Sequence, residues 1–340
     1  MQHQTPRRSG GFCNKPRPAS NLLGALAAVS SSGMSILRLT FLGTSAAMPT
    51  LHRNVSGLAV KADTDLLLFD CGEGSQRQMI RFGTGFAVDA VFFTHFHADH
   101  YLGIIGFLRT LGMGGRTEKL VLYGPPSAKR VLDTAIHLGV ERLAFPVEIA
   151  ELKPGEALDR GSYSVRAIKV DHRVNALGYA IEEHTRPGRF DPDAARALGV
   201  TPGPDFGRLQ KGESVTLADG RVVKPEQVLG GARAGRKLVL SGDTRPCPTV
   251  VAAAKDADVL IHEATFSDDE QGRAEETRHS TAREAGRVAR EAGARRLLLT
   301  HLSSRHDVDP RPLVEQAKQE FSGPVDVVWD GFSLDLPLRG

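Results

Sequence analysis

Cysteine and large aromatic residues are scarce in this chain, which contains three cysteines, one tryptophan and four tyrosines. Cys13, Cys71 and Cys247 are far apart and form no CxxC pair, which argues against a disulfide framework and against a thiolate zinc site. So few aromatic rings also argue against a stacking surface for single-stranded nucleic acid. A reducing cytoplasm is the compartment that we expect.

The sequence also lacks long apolar runs and a strong excess of charge. No stretch of about 18 apolar residues occurs, so we expect no transmembrane helix. The formal net charge is +3, but residues 1–33 contain four basic residues and no acidic one. Without those four, 39 basic residues stand against 40 acidic ones, so nucleic-acid binding would need a local patch.

Residues 1–33 are rich in Ser, Gly, Pro, Arg and Asn. Their one apolar stretch, Leu22 to Val29, follows the basic pair Arg7-Arg8 and imitates a signal-peptide core, but it is short and contains Gly24. We expect a disordered N-terminal extension, or a mis-assigned start upstream of Met34, followed by one folded domain over residues 34–340.

From Ile36 onward, short apolar strands come first in clusters and then alternate with segments of helical periodicity. This order predicts an α/β fold in which two sheets pack together with helices outside. Arg186 to Lys211 interrupts the pattern with many Gly and Pro residues around one helical stretch, Pro192 to Leu198. We expect an insertion at about residues 185–212 that leaves the core.

The most informative segment is His95-Phe96-His97-Ala98-Asp99-His100, directly after the predicted strand Ala90 to Thr94. Residues two apart in extended backbone share a side, so His95 and His97 can converge on one ion. Asp99 and His100 fall where the chain turns into a helix and can face a second ion. Imidazoles and carboxylates without thiolates suit catalytic zinc, and manganese or iron would also fit.

Further candidate ligands follow later predicted strands. His172 comes after a strand that ends at Val170, Asp243 lies in Ser241-Gly242-Asp243-Thr244, and His301 follows Leu297 to Thr300. Each alone would more often be a loop residue, but together they complete two sites.

This constellation resembles the metallo-β-lactamase superfamily. The resemblance implies an αββα sandwich with two metal ions at one sheet edge. It implies one zinc ion held by His95, His97 and His172, a second held by Asp99, His100 and His301, and Asp243 as a bridge between them.

Other segments resemble the ribonuclease Z family within that superfamily. Phe41 to Thr50, followed by Arg53-Asn54, is similar to the family's first motif, and the resemblance puts Ser45 and Arg53-Asn54 near the substrate backbone. His262-Glu263-Ala264-Thr265-Phe266 and His279-Ser280-Thr281 resemble its paired motif for protonating the leaving group. A histidine backed by a carboxylate can stay protonated, so we expect His279 to be the general acid and Glu263 to orient it.

The insertion resembles the flexible arm with which ribonuclease Z grips tRNA; a solvated surface loop is the alternative. The resemblance implies cleavage of precursor tRNA into a tRNA that ends in a 3′-hydroxyl and a trailer with a 5′-phosphate, by a homodimer. We expect Asp99 to position the attacking water and to accept its proton. Two other interpretations stay open: a sulfatase or cyclic-nucleotide phosphodiesterase of the same fold, and a non-catalytic RNA-binding or scaffold protein that kept the fold.

Overall fold

The computed structural model describes residues 36–139 and 142–339. The extension predicted for residues 1–33 lies outside them. A seven-stranded sheet opens the chain, with the spatial order β16-β1-β2-β3-β4-β5-β6. Its strands are β1 (Leu37–Gly43), β2 (Gly57–Ala62), β3 (Asp65–Phe69), β4 (Ala90–Phe92), β5 (Leu120–Gly124), β6 (Val147–Glu151) and β16 (Ser333–Asp335).

A second seven-stranded sheet has the order β15-β14-β13-β12-β9-β8-β7. Its strands are β7 (Ala157–Asp159), β8 (Tyr163–Lys169), β9 (Leu177–Glu183), β12 (Lys237–Leu240), β13 (Val259–Glu263), β14 (Leu297–Thr300) and β15 (Val325–Val327). The two sheets bury their inner faces against each other, since one hydrophobic cluster runs from Leu37 to Leu336 through strands of both sheets.

Helices cover the outer face of each sheet. The first sheet packs against α1 (Ser75–Phe82), α3 (Ile104–Met113) and α4 (Ala128–Ile136), and the second against α7 (Pro248–Ala253), α9 (Ala282–Ala292) and α10 (Arg311–Lys318). Two short helices, α2 (Ala98–Tyr101) and α8 (Gln271–Thr277), lie in connections between strands and longer helices. The predicted α/β fold, an αββα sandwich, is therefore confirmed. Among the described residues, no helix combines the length and the apolar character needed to cross a membrane.

The direction of the strands determines where functional side chains can meet. Strands β3, β4 and β5 run parallel, as do β12, β13, β14 and β15. Their carboxyl ends, and the loops that follow them, lie along one edge of each sheet, which is where open α/β sheets bind ligands.

Between β9 and β12 the chain leaves the sandwich and returns through a backbone bridge between Arg186 and Arg233. We call residues 186–233 the protrusion. It contains α5 (Pro192–Ala197), α6 (Pro204–Gln210) and a hairpin of β10 (Val215–Thr216) and β11 (Val222–Val223). A small core of its own joins them: Ala195, Val200, Leu209, Val215, Val223 and Val228. The protruding segment is thus longer than the insertion predicted at residues 185–212, because its two-residue strands are too short to show as a sequence pattern.

Candidate active site

The predicted ligands lie at the edge where the parallel strands end. His95 follows β4, Asp243 follows β12 and His301 follows β14, while His172 lies in the connection between β8 and β9. Four separate segments therefore deliver ligands to the same place.

The first group consists of His95, His97, His172 and Asp243. His97 Nδ1 lies 2.9 Å from His95 Nε2 and 3.3 Å from His172 Nε2. Asp243 Oδ2 is 3.6 Å from His95 Nε2. One nitrogen or oxygen of each residue lies within 4.8 Å of those of the other three, so the group could hold one cation.

The second group consists of Asp99, His100 and His301. His301 Nε2 is 3.2 Å from His100 Nε2 and 3.4 Å from Asp99 Oδ2. The same Asp243 oxygen that faces His95 is 3.5 Å from His100 Nε2 and 3.4 Å from His301 Nε2. Asp243 therefore lies between the groups, and the structure brings all seven predicted ligands together.

The donor set fits two divalent cations. Five imidazoles and two carboxylates point at one another, and ring nitrogens this close cannot all donate, whereas a shared cation would satisfy them together. Burial lowers the pKa of His95, His97 and His172, so their rings are neutral and able to bind metal. The absence of thiolates suits catalytic zinc, manganese or iron.

Burial would oppose ionisation of the two carboxylates, but the surrounding histidines outweigh it. Hydrogen bonds with His100 and His301 hold the pKa of Asp99 far below its usual range, and charge interactions with His301, His100 and His95 do the same for the pKa of Asp243. Both side chains are therefore ionised at neutral pH.

Asp70, which was not predicted from the sequence, orients one of the ligands. Its Oδ2 lies 2.7 Å from His100 Nδ1, and its carboxylate accepts hydrogen bonds from the backbone N–H and the hydroxyl of Thr94 at 2.7 and 2.8 Å. A carboxylate on the far ring nitrogen fixes the tautomer of a metal-binding histidine. Asp70 directly follows the buried strand β3, just as the later ligands follow theirs, but a single carboxylate after a strand is too common to indicate a site.

The predicted acid pair lies beside the second group. His279 Nδ1 is 2.7 Å from Glu263 Oε1 and 3.9 Å from Asp243 Oδ2. Glu263 is fully buried at the end of β13 and also accepts hydrogen bonds from the backbone N–H groups of Thr244 and Ser280. Burial alone would lower the pKa of His279, but the charge of Glu263 and its hydrogen bond raise it to about 9. His279 thus keeps a proton at neutral pH.

Two of the three side chains of this loop that are expected near the substrate, Ser45 and Arg53, are buried, whereas Asn54 is half-buried. Ser45 is buried and donates to the carbonyl of Met48, and Arg53 is buried with Nη1 donating to Thr44 Oγ1. What reaches the metal site is backbone, because the N–H of Ala47 donates to Asp99 Oδ2 at 2.8 Å. Ser45 and Arg53 therefore fix the conformation of the loop whose backbone N–H binds Asp99.

A cavity of about 430 Å³ opens onto both ligand groups. Its wall includes His97, Asp99, Asp243, His279 and His301. The remaining wall comes from the segments that follow β1, β13 and β14, and includes Met48, Phe266, Arg273, Thr277, Ser303 and Arg305. A substrate in this cavity would meet the candidate metal ligands on one side and two guanidinium groups on another.

The fold and this site define a metal-dependent hydrolase of the metallo-β-lactamase superfamily. A family model described as a Beta-lactamase superfamily domain matches residues 66–230 and 224–302. Among solved structures, the short form of human tRNase Z superposes with a TM-score of 0.64 at 24% identity, covering 88% of this chain and 100% of that one. The metallo-β-lactamase fold protein YhfI of Bacillus subtilis gives a TM-score of 0.62 at 23% identity, covering 89% and 100%.

Comparison with curated relatives identifies the family within this superfamily. Ribonuclease Z of Myxococcus xanthus is 74% identical over 90% of this chain and 100% of its own length. Ribonuclease Z of Gemmatimonas aurantiaca is 51% identical over 89% of this chain and 96% of its own length. The chain belongs to the ribonuclease Z family, a family of metal-dependent endoribonucleases.

Proposed function

We propose that this chain is a zinc-dependent endoribonuclease that removes the 3′ trailer from precursor tRNA in the cytoplasm. The tRNA would keep a 3′-hydroxyl and the trailer a 5′-phosphate. The observation that carries the proposal is the meeting of two ligand groups at Asp243, with the protonated His279 only 3.9 Å from that carboxylate. Each subunit would bind two zinc ions, one at His95, His97 and His172 and one at Asp99, His100 and His301, with Asp243 shared.

Two divalent ions held by these residues would lower the pKa of a water and neutralise charge on the phosphate. Asp99, ionised and fixed by the N–H of Ala47, orients the attacking water and accepts its proton. His279 donates a proton to the departing 3′ oxygen, because its Nδ1 side is occupied by Glu263 while the ring lines the cavity. Water is the nucleophile, so the 2′-hydroxyl is not needed and small phosphodiesters should also be cleaved.

The protrusion is the part of the chain that we assign to tRNA binding. Its exposed basic side chains are Arg189, Arg196, Arg208, Lys211, Arg221 and Lys224. Each contact of such a side chain with a phosphate adds salt-dependent affinity, and a folded arm can recognise the shape of the tRNA away from the cut. The cavity then needs to admit only the single-stranded 3′ end.

The direct test is incubation of zinc-loaded protein with a 3′-extended tRNA transcript. We expect a single cut at or near the mature 3′ end, its loss in Asp99→Ala, and its retention in Asp335→Ala, which removes an exposed carboxylate on β16. Hydrolysis of a sulfate or cyclic phosphate ester without any cut in the tRNA would favour the small-molecule hydrolase instead.

We further propose that the enzyme is a homodimer. The neighbouring helices α1 and α3, with the turn before α3, carry the exposed apolar side chains Ile80, Leu102 and Met113. Covering such side chains would remove apolar area from water, the usual driving force for association. Light scattering at micromolar concentration should give twice the chain mass, and Ile80→Glu with Met113→Glu should give the monomer.

A further inference from the structure

The carboxylate of Glu270 contacts three basic side chains, and two of them, Arg273 and Arg305, line the cavity. Glu270 Oε1 accepts hydrogen bonds from Nη1 of Arg305 at 2.6 Å and from Nη1 of Arg273 at 3.3 Å. Its other oxygen, Oε2, is 3.4 Å from His306 Nε2. Glu270 itself is 12% exposed, whereas both guanidinium side chains are more than half exposed.

These residues join two segments that line the cavity. Glu270 and Arg273 lie in the stretch between β13 and His279, and Arg305 and His306 lie in the 3₁₀ turn after β14. Arg273 also stacks on the ring of Phe266, with 5.3 Å between its guanidinium carbon and the ring centroid. Arg273, Phe266 and Arg305 all line the cavity, so the cluster places two cations beside the ligand groups.

We propose that Glu270 is a positioning residue that holds Arg273 and Arg305 as a paired clamp for a backbone phosphate next to the scissile one; this rests on the proposed function. A guanidinium has five N–H donors, so each arginine can bind Glu270 and still present donors to a phosphate. Glu270 fixes where those donors point, and Phe266 restrains the Arg273 plane.

The clamp predicts that Glu270 affects the cleavage rate mainly for substrates with more than one phosphate. A polynucleotide offers a neighbouring phosphate to the arginines, whereas bis(p-nitrophenyl) phosphate has none. Glu270 also neutralises part of the arginine charge, so its removal leaves more positive charge for RNA. Glu270→Gln should therefore impair catalysis, because the arginines lose their orientation. It should not weaken RNA binding, because the site becomes more positive.

The test compares Glu270→Gln with Glu276→Gln, a matched control that removes an equal charge from an exposed residue of α8. For the 3′-extended tRNA we expect Glu270→Gln to lower kcat roughly tenfold, the scale of a lost charge-assisted hydrogen bond. The Kd measured by fluorescence anisotropy should not rise, and its salt dependence should steepen by up to about 0.7 in log–log slope. Hydrolysis of bis(p-nitrophenyl) phosphate should fall far less than tRNA cleavage.

A combined variant tests whether Glu270 acts through the arginines. Arg273→Ala with Arg305→Ala should flatten the salt dependence, and adding Glu270→Gln to that background should change kcat no further, since coupled residues are not additive. The clamp would be overturned if the losses in kcat were additive or if kcat fell equally for both substrates. It would also be overturned if Glu276→Gln steepened the salt dependence of Kd as much as Glu270→Gln. Failure of the wild type to cut tRNA would count against the proposed function alone, because the binding measurement needs no cleavage.

Discussion

The proton on His279 depends mainly on Glu263. Glu263 raises the pKa of His279 to about 9, against the effect of burial. Glu263→Gln keeps the shape of the side chain and removes the charge, so the pKa of His279 should fall. A general acid works only while protonated, and the alkaline limb of kcat should therefore move to lower pH.

The measurement is kcat for the tRNA transcript across the alkaline range, with Glu276→Gln as the control that leaves the profile in place. An unchanged alkaline limb in Glu263→Gln would show that His279 does not supply the proton that limits the rate.

Asp70 contacts His100 but does not line the cavity, so its effect should be on metal binding. Asp70→Asn should weaken zinc binding by about 10–100-fold, the usual effect of losing a carboxylate behind a metal-binding histidine. Competition with a chromophoric chelator measures this affinity, and Asp335→Asn on the surface provides the control. Retention of wild-type affinity with a native circular dichroism spectrum would contradict the assigned role.

Helices α9 and α10 pack together with no room for a side chain at Gly286. A Cβ there would lie 2.3 Å from the backbone oxygen of Ala317, so one helix would have to shift. We expect Gly286→Ala to cost about 1–3 kcal/mol of unfolding free energy, despite the better helix propensity of alanine. Thermal unfolding should show a decrease of roughly 2–4 °C in Tm for each kcal/mol.

Gly272 in α8 is the matched control, since a Cβ at that position meets nothing within 4 Å. Gly272→Ala should leave Tm unchanged or raise it slightly. Equal losses in the two variants would mean that the contact between α9 and α10 does not limit stability.

Elements also show where prediction from sequence reached its limit. Interior strands such as β4 and β14 were predicted because they are buried and read as short apolar runs. Within the two seven-stranded sheets, the strands that were not predicted, β6, β7 and β16, are all at sheet edges. Their side chains are half-buried or exposed, so polar residues interrupt the apolar pattern.

The candidate site divides in a similar way. The segment from His95 to His100 could be identified because four possible ligands fall within six residues. Asp70 could not, because one carboxylate after a strand is common and only the fold reveals that it faces His100. Ser45 and Arg53 were predicted near the substrate on resemblance alone, and the sequence carries no signal that their side chains turn inward.

The protrusion and the sandwich have separate hydrophobic cores, and the two ends of the protrusion lie next to each other. Arg186 and Arg233 are bridge partners, so a short Gly-Ser linker can replace residues 187–232. Since the hydrophobic cluster between the sheets does not include the protrusion, the shortened chain should stay folded and keep its hydrolysis of bis(p-nitrophenyl) phosphate.

The same deletion should raise KM for the tRNA transcript by at least about tenfold, because contacts with phosphates far from the cut are lost. Lys211→Ala with Lys224→Ala in the intact chain should produce a smaller increase and a flatter salt dependence. Both substrates are measured with each variant, since the ratio between them separates RNA binding from chemistry. If the deletion leaves KM for tRNA unchanged while the small ester is still hydrolysed, the protrusion does not bind the substrate, and recognition would then have to lie in the sandwich itself, at the arginines around the cavity.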